Sequence, residues 1–194
     1  MESSKVYSAV NYYFINHEHK WLNKYIFKRD WESDFFCVSK SGYCIEVEVK
    51  VSKSDFTADF KKEKHEFFKS ILLNKKYHIE NCGQGYNGNY ICKSENGRSD
   101  YAECSRIKIY DLNKIPIPNK FWYAVPEGLI EAKDVPKYAG LIYVIDRGVD
   151  VTPIHKIVKP APFIHKRILE KKNLLFDKYF WDRVSMINEI ESLK

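Results

Sequence analysis

Residues 45–51 read IEVEVKV, a strict alternation of apolar and charged side chains. Because successive side chains on a β-strand point to opposite faces of the sheet, this run predicts a strand with one apolar and one charged face. The apolar face carries Ile45, Val47, Val49 and Val51, and the charged face carries Glu46, Glu48 and Lys50. The strand therefore concentrates two carboxylates and one ammonium group on a single side.

A second strand precedes this one and pairs with it as a hairpin. Residues 31–38 have a strand-like pattern, and a Ser-Gly pair at 41–42 supplies the turn. Alternation places Glu32 and Asp34 on one face, and pairing through the turn brings Asp34 beside Glu48. The hairpin therefore predicts a carboxylate pair contributed by two neighbouring strands.

This carboxylate pair is typical of a site for a hard divalent cation. Mg²⁺ prefers a few carboxylate oxygens together with water and substrate phosphate, so Asp34, Glu48 and the carbonyl of Val49 form the predicted inner shell for Mg²⁺ or Mn²⁺. Lys50 then lies beside the attacking water. The alternative interpretation, which the spacing alone favours, is a solvent-exposed sheet face with cross-strand charge pairs worth about 0.2–1 kcal/mol each.

The rest of the chain supplies helices and further strands around this hairpin. Helical spacing of apolar residues predicts one long helix over residues 1–28 and a closing helix over about 164–193. Between them, Ser52 caps a helix that runs to about Ser70, with Asp55 three positions after the cap.

Two short runs rich in aromatic and β-branched residues, 121–125 and 141–145, predict buried strands that extend the sheet. Residues 71–118 are rich in Asn, Gly and Tyr and predict an insertion with one short hairpin. The predicted fold class is therefore α/β, in the sense of an α+β mixed sheet flanked by helices, in a single domain over residues 1–194.

Composition constrains the setting in which this domain works. The 194 residues are 44% apolar, which is enough for one substantial core. Lysine and arginine exceed aspartate and glutamate by 32 to 26, and the net charge of +6 suits an anionic partner such as DNA. No stretch approaches the roughly 18 apolar residues of a membrane span, and no leader pattern opens the chain. We therefore expect no membrane association and a cytoplasmic location.

The five cysteines are odd in number, which favours free thiols in a reducing compartment over a disulfide framework. Three of them, with one histidine, offer an alternative zinc site, although their spacing lacks the paired knuckle that makes such a site specific. This zinc set is His78, Cys82, Cys92 and Cys104. Unpaired thiols in a polar excursion are the simpler interpretation.

Four stretches carry a resemblance to a known family: DWESDF, EVEVKVSKSDFTADFKKEKH, FWYAVPEGLI and PKYAGLIYV. Together they resemble the MmcB-like family, a branch of the PD-(D/E)xK nuclease superfamily that is associated with DNA repair. The resemblance covers roughly residues 30–70 and 119–160. It implies a restriction-endonuclease-like core in which residues 71–118 are an insertion.

By this resemblance, Asp34 is the first acid, Glu48 the second acid and Lys50 the lysine of the motif. The same comparison matches four further residues to an S-x-x-D-F-x-x-D-x-K extension, namely Ser52, Asp55, Asp59 and Lys61. It implies that Mg²⁺ polarises the scissile phosphate while Lys50 steadies the developing charge. Other acids are candidates for a supporting role beside the metal or Lys50, namely Glu18 on the first helix, Glu32, Glu46, Asp55 and Asp59.

Two basic segments are candidates for contacts with a nucleic-acid backbone. The first follows the motif and comprises Lys61, Lys62, Lys64 and His65, and the second comprises Lys156, Lys159, Lys166 and Arg167. Solvated helix faces are the alternative interpretation of both. The predicted function is a Mg²⁺-dependent DNA nuclease in repair or maintenance. The alternative is a catalytically inactive DNA-binding or adaptor module of the same fold, and a homodimer is an open option for either.

Overall fold

The computed structural model describes residues 1–28, 31–82, 90–92, 106–114, 116–148, 151, 153–168 and 171–192. In this part of the chain there are nine strands and four helices. The strands are β1 (Glu18–Lys28), β2 (Trp31–Val38), β3 (Cys44–Val49), β4 (Tyr77–Cys82), β5 (Tyr90–Cys92), β6 (Arg106–Asp111), β7 (Lys120–Pro126), β8 (Ala139–Ile145) and β9 (Ile154–Lys159). The helices are α1 (Ser3–Tyr13), α2 (Lys53–Asp59), α3 (Lys64–Leu72) and α4 (Lys171–Ser192).

Six strands form one mixed sheet in the order β1-β2-β3-β7-β8-β9. The central pairs β3–β7 and β7–β8 are parallel, whereas β1–β2, β2–β3 and β8–β9 are antiparallel. This mixed sheet with flanking helices confirms the predicted fold class. A crossover that contains α2 and α3 joins the parallel pair β3–β7, as parallel pairing requires.

Helices cover both faces of the sheet around β3. On one face, α1 buries Val6, Ala9 and Val10 in a core that also contains Val47 and Trp122. On the other face, α2 and α3 contribute Phe56, Phe67 and Phe68 to a larger core with Phe36, Phe121 and Tyr123. The central strand is therefore buried on both sides.

The predicted β2–β3 hairpin is present. Ser39 accepts a hydrogen bond from the Gly42 N–H at 2.8 Å and donates one to Tyr43 at 2.9 Å, and Gly42 has a φ of 86°. That left-handed value costs little at glycine, which has no Cβ. The register places Phe35 opposite Val47 and Phe36 opposite Glu46, so Asp34 is on the face shared with Glu48.

The prediction of one helix over residues 1–28 was wrong. The helix ends at Tyr13, and residues 18–28 form the edge strand β1. His17 and Trp21 continue the helical period of α1 only by coincidence. Trp21 is packed by strand pairing, with its ring stacked 6.0 Å from that of Phe36 on β2.

The prediction of one helix from Ser52 to Ser70 was correct at its start and wrong in its middle. Ser52 Oγ accepts the Asp55 N–H at 3.1 Å, which confirms the cap. The segment then breaks into α2 and α3, because hydrogen bonds from the N–H groups of Lys61 and Lys62 to carbonyls three residues back close α2 in a tight turn.

Three further boundaries differ from expectation. The region 71–118 holds a three-stranded antiparallel sheet of order β4-β6-β5 instead of one short hairpin. Strand β9 was missed because the prolines on either side of it argue against a strand. It is nevertheless formed, because it lies at the edge of the sheet, where proline is tolerated. The closing helix begins at Lys171 and not near residue 164, since the segment after β9 runs without helix and buries Ile164. No helix within the described residues is long and apolar enough to cross a membrane.

Candidate active site

Asp34, Glu48 and Lys50 meet where β3 ends. Lys50 Nζ lies 2.6 Å from Glu48 Oε2 and 3.7 Å from Asp34 Oδ2. Asp34 Oδ2 also accepts the backbone N–H of Val49 at 2.8 Å, so the carboxylate takes the place of the next ladder bond between β2 and β3. The site lies at the carboxyl end of a parallel strand, which is where ligands bind in open α/β sheets.

The backbone of Val49 faces Asp34. The Lys50 N–H donates to the Ala124 carbonyl on β7 at 3.1 Å. Because the two groups of a trans peptide point in opposite directions, the Val49 carbonyl points away from β7 and toward the β2 side. The Val49 carbonyl therefore lies on the same side of β3 as Asp34, and its role as a ligand stays a prediction.

Three ammonium groups surround Glu48. Lys50 and Lys62 contact Oε2, the latter at 3.0 Å, and Lys64 contacts Oε1. Lys64 also lies 2.9 Å from Glu46 Oε1. The side chain of Lys62 is 46% exposed, against 5% for Lys50 and 2% for Lys64. Lys62 therefore closes the mouth of the site, and the other two lysines form its interior.

Asp59 organises the opposite wall. Its Oδ1 lies 3.3 Å from Lys50 Nζ and 2.6 Å from Lys62 Nζ. Its Oδ2 accepts from Tyr123 OH at 2.8 Å and lies 2.9 Å from His65 Nε2. His65 Nδ1 in turn lies 2.8 Å from Tyr138 OH. A buried relay Tyr138–His65–Asp59 thus fixes the carboxylate that contacts Lys50.

Two residues predicted as surface contacts are instead part of this buried cluster. Lys64 and His65 were expected to touch nucleic acid or to lie on a solvated face, but they are 3% and 0% exposed. The alternative of a solvent-exposed charged sheet face is also wrong, since Glu46 and Glu48 are both 0% exposed. Folding α3 back over β3 buries all four side chains together.

The remaining candidate acids are spread out. Glu46 accepts hydrogen bonds from Trp31 Nε1 at 2.9 Å and from Lys64. It lies on the same face of β3 as Glu48, two residues further from the end of the strand. Glu32 and Asp55 are exposed. Glu18 lies on β1 and not on the first helix, and it pairs with Val38 at the far end of β2. The structure therefore brings Glu46 and Asp59 to the site and leaves the other three outside it.

Protonation follows from burial and from these charge pairs. Burial and the Glu48 charge raise the pKa of Asp34 to about 6, and burial raises the pKa of Glu46 to about 7 despite Lys64. Burial also opposes ionisation of Glu48 and Asp59, but other effects outweigh it and lower both pKa values: the surrounding lysines at Glu48, and the His65 hydrogen bond together with the lysines at Asp59. Nearby carboxylates outweigh burial at Lys50 and raise its pKa. Lys50 is therefore a permanent cation and cannot act as a base.

The carboxylate oxygens of Asp34 and Glu48 are of the donor type that Mg²⁺ prefers. Lys50 Nζ, itself a cation, already lies within 4 Å of both carboxylates and of Asp59. Four carboxylates face three ammonium groups, so one negative charge is left for a bound cation when all are ionised. Glu48 can bind an ion only if at least one of its three ammonium partners moves away, and Lys62 is the most exposed of them. Among the described residues, no group of three or more His, Cys, Asp or Glu side chains is arranged to hold a metal.

The predicted backbone-binding residues do not form one surface. Lys61 is exposed beside the site, and Lys156 is exposed 3.9 Å from Glu127. Lys159 instead donates to the carbonyls of Val135 and Pro136 at 2.9 and 2.7 Å, so it has a structural role. Lys166 and Arg167 are exposed near Asn119, at the opposite end of the sheet from Glu48.

The cysteines divide into two groups. Cys37 and Cys44 are buried on β2 and β3, within the two strands predicted for them. The zinc set of His78, Cys82, Cys92 and Cys104 lies outside the described side chains.

Sequence reasoning missed the polar partners Tyr123 and Tyr138. Both lie in or next to apolar runs and read as core residues, and both are 0–2% exposed. The one local signal for a polar cluster was that Lys64 and His65 follow closely after α2 in the sequence. Their burial depends on how α3 packs on β3, which is a long-range property.

Comparisons with known proteins define the fold alone. No family model matches the chain, and no curated protein matches it. A solved protein of unknown function from Silicibacter pomeroyi is similar in structure, with a TM-score of 0.55 and 14% sequence identity over 98% of this chain and 94% of that chain. The likeness extends over nearly the whole of both chains, so it includes the mixed sheet and its helices.

Proposed function

We propose that this protein is a metal-dependent phosphodiesterase that acts on DNA and has a PD-(D/E)xK core of the MmcB-like type. The observation that carries the proposal is the convergence of Asp34, Glu48 and Lys50 at the carboxyl end of β3. The order of elements supports it: a helix, an antiparallel hairpin, a crossover helix and a parallel strand surround the site.

The burial of the charged residues supports a functional origin. Ion pairs in a protein interior contribute little net stability, because desolvation offsets their attraction, and apolar residues of similar size often replace them without loss. The face of β3 that carries Glu46, Glu48 and Lys50 is nevertheless buried. Clusters of buried groups with shifted pKa values are characteristic of functional sites.

The residues of the chain have separate roles in the proposed reaction. Asp34, Glu48 and the Val49 carbonyl would hold the cation, whose chemistry would be to acidify a bound water and to neutralise phosphate charge. Lys50 stays protonated and stabilises the negative charge that develops on the phosphate oxygens. Asp59 positions Lys50, and Lys62 moves from Glu48 to the substrate phosphate when the site fills.

The direct test measures cleavage of labelled single-stranded, duplex, flapped and nicked DNA with Mg²⁺ or Mn²⁺. We expect cleavage by the wild type and a loss of about 10²-fold or more in Glu48→Gln and in Lys50→Met, because each removes a group that acts on the transition state. Glu32→Gln is the matched control, since Glu32 is an exposed acid on the same strand as Asp34. Circular dichroism checks that all variants fold.

One observation favours a second candidate, a DNA-binding module without catalysis. Both oxygens of Glu48 already lie against ammonium groups, so this carboxylate is compensated without a metal. Such a module binds DNA equally well with EDTA present and in the Asp34→Asn variant. Binding that persists under both conditions, without cleavage of any of the four substrates, replaces the first proposal with this one.

A further inference from the structure

A second concave site lies at the other end of α3. It is a cavity of about 350 Å³ between the last turn of α3, the turn before β4, the turn after β6 and the segment 165–167. Lys64 at the start of α3 contacts Glu48, whereas Ile71 near its end lines the cavity. With about 1.5 Å of rise per helical residue, the cavity is separated from the candidate active site by roughly 10 Å or more.

Cations dominate the rim of the cavity. Lys75, Lys76 and Arg167 line it, and no acidic side chain is among the lining residues of the described chain. Lysines near a helix C-terminus complement the helix dipole, which accounts for part of this charge. Arg167 comes from a different segment, so the dipole of α3 does not explain the third cation.

Part of the cavity lining is apolar. Ile71 and Leu112 contribute aliphatic surface, and His165 contributes an imidazole ring. The His165 Nε2–H donates to the Ile117 carbonyl at 3.0 Å, while Nδ1 accepts the Arg167 N–H at 3.1 Å. Both ring nitrogens are therefore used, and these hydrogen bonds hold the ring in one neutral form.

The walls are fixed by backbone hydrogen bonds. Asn74 has a φ of 53°, and the Lys75 N–H donates to the Ser70 carbonyl at 3.0 Å, which is the Schellman arrangement at a helix end. The Leu112 N–H donates to the Lys76 carbonyl at 3.2 Å, joining the two turns. A cavity with fixed walls, a partly apolar lining and a few convergent polar groups has the character of a ligand site.

We propose that this cavity binds a nucleoside monophosphate group, with the phosphate between Lys75 and Arg167 and the base on His165. Arginine and lysine are the common partners of phosphate oxygens, and bases stack on aromatic side chains such as histidine. The group belongs either to a free nucleotide or to the phosphorylated end of a DNA strand. The inference is independent of cleavage at Glu48, because no residue is shared between the two sites.

Isothermal titration of the full chain with dAMP tests the proposal. We expect saturable binding of dAMP, at least about tenfold weaker binding of deoxyadenosine, and a loss of about tenfold or more in Lys75→Ala/Arg167→Ala. Lys133→Ala removes an exposed lysine of the β7–β8 connection and is the matched control, and Lys50→Met tests independence from the active site. Both should bind dAMP as the wild type does.

Competition identifies the source of the group. Displacement of dAMP by a 5′-phosphorylated oligonucleotide, but not by its 5′-hydroxyl form, supports the end of a DNA strand. Failure of both oligonucleotides to displace bound dAMP supports a free nucleotide. Inorganic phosphate binding as tightly as dAMP, no dAMP binding at millimolar concentration, or unchanged binding in Lys75→Ala/Arg167→Ala each overturns the proposal.

Discussion

The two faces of β3 are buried equally and are built from opposite chemistry. Val47 is 0% exposed on the face that packs against α1, and Glu46 and Glu48 are 0% exposed on the face beneath α3. Burying an aliphatic side chain contributes about 1.5–3 kcal/mol to stability, whereas buried charges need partners to offset their desolvation. Hydrophobic burial therefore explains the first face, and an organised set of counter-ions is required to explain the second.

The comparison shows what Lys64 does in the fold. On the apolar face, each residue is stabilised by contact with any well-packed neighbour. On the charged face, the ammonium group of Lys64 is shared by Glu46 and Glu48, and it is almost inaccessible to water. Loss of one apolar side chain leaves a cavity. Loss of this ammonium group instead removes a counter-ion from two buried carboxylates, and their desolvation is then less well offset.

The largest expected difference between the faces follows from this contrast. Lys64→Ala should lower the free energy of unfolding by about 3–5 kcal/mol, because it removes one partner from a buried ion cluster. Val47→Ala should cost about 2 kcal/mol through lost burial and a small cavity. Urea denaturation at pH 7 measures both. An equal or smaller loss in Lys64→Ala than in Val47→Ala would show that the carboxylates do not depend on this lysine.

An intermediate effect is expected in the pH dependence of stability. The folded pKa of Glu46 is about 7, above its unfolded value of 4.5, so the folded state binds more protons between these pH values. The contribution of Glu46 to the free energy of unfolding therefore falls as pH rises from about 4.5 to 7, by on the order of 2 kcal/mol. Asp34, with a pKa of about 6, acts in the same direction.

Two histidines oppose this trend, so the measurement is a difference between variants. Burial lowers the pKa of His17 and His165, and their contribution to stability rises with pH up to about 6.5. Glu46→Gln should become less stable relative to wild type as pH falls toward 5, whereas Val47→Ala should keep a constant offset. Urea titrations in metal-free buffer from pH 5 to 8 provide the comparison. Parallel curves for wild type and Glu46→Gln contradict the assigned pKa.

The smallest effect is stabilisation by a metal. At a concentration ten times its dissociation constant, Mn²⁺ should raise the free energy of unfolding by about 1.4 kcal/mol. Asp34→Asn should abolish the increase and Val47→Ala should keep it. Lys62→Met should bind Mn²⁺ more tightly than wild type, because Lys62 contacts Glu48 where the ion would bind. Thermal unfolding with and without Mn²⁺ measures all three effects. Weaker Mn²⁺ binding in Lys62→Met argues against the idea that the ion takes the place of the Lys62 ammonium group at Glu48.

Local patterns were enough to predict the hairpin and its charged face. The alternation over 45–51, the turn at 41–42 and the cap at Ser52 each depend on neighbouring residues. The turn and the cap are present, and the alternating strand is present as far as Val49, whereas Val51 lies beyond it and is exposed. The proximity of Asp34 and Glu48 follows from the turn and the register. That the charged face is buried does not follow from any of them, because burial depends on what covers the strand.

The missed features depend on contacts between distant segments. Strand β1 has a helical spacing that pairing with β2 overrides, and the tertiary partner decides between the two structures. Lys64 and His65 have the composition of an exposed helix face, yet both are buried by residues from beyond position 120. His65 contacts Tyr123 and Tyr138, and Lys64 lies over the ring of Phe121. A polar relay assembled from three separate segments has no local signature in the sequence.

The parallel pairing of β3 with β7 has a consequence for the order of folding. About 70 residues separate these strands along the chain, and closing so long a loop costs on the order of 4 kcal/mol of chain entropy. Contacts across such separations form slowly, whereas a hairpin and the helices next to it form early. We therefore expect the segment from Asp34 to Lys64, about thirty residues long, to form its local structure first. Tyr123 can join Asp59 only when β7 docks, so we expect the wall that holds Lys50 to be completed after the hairpin has formed.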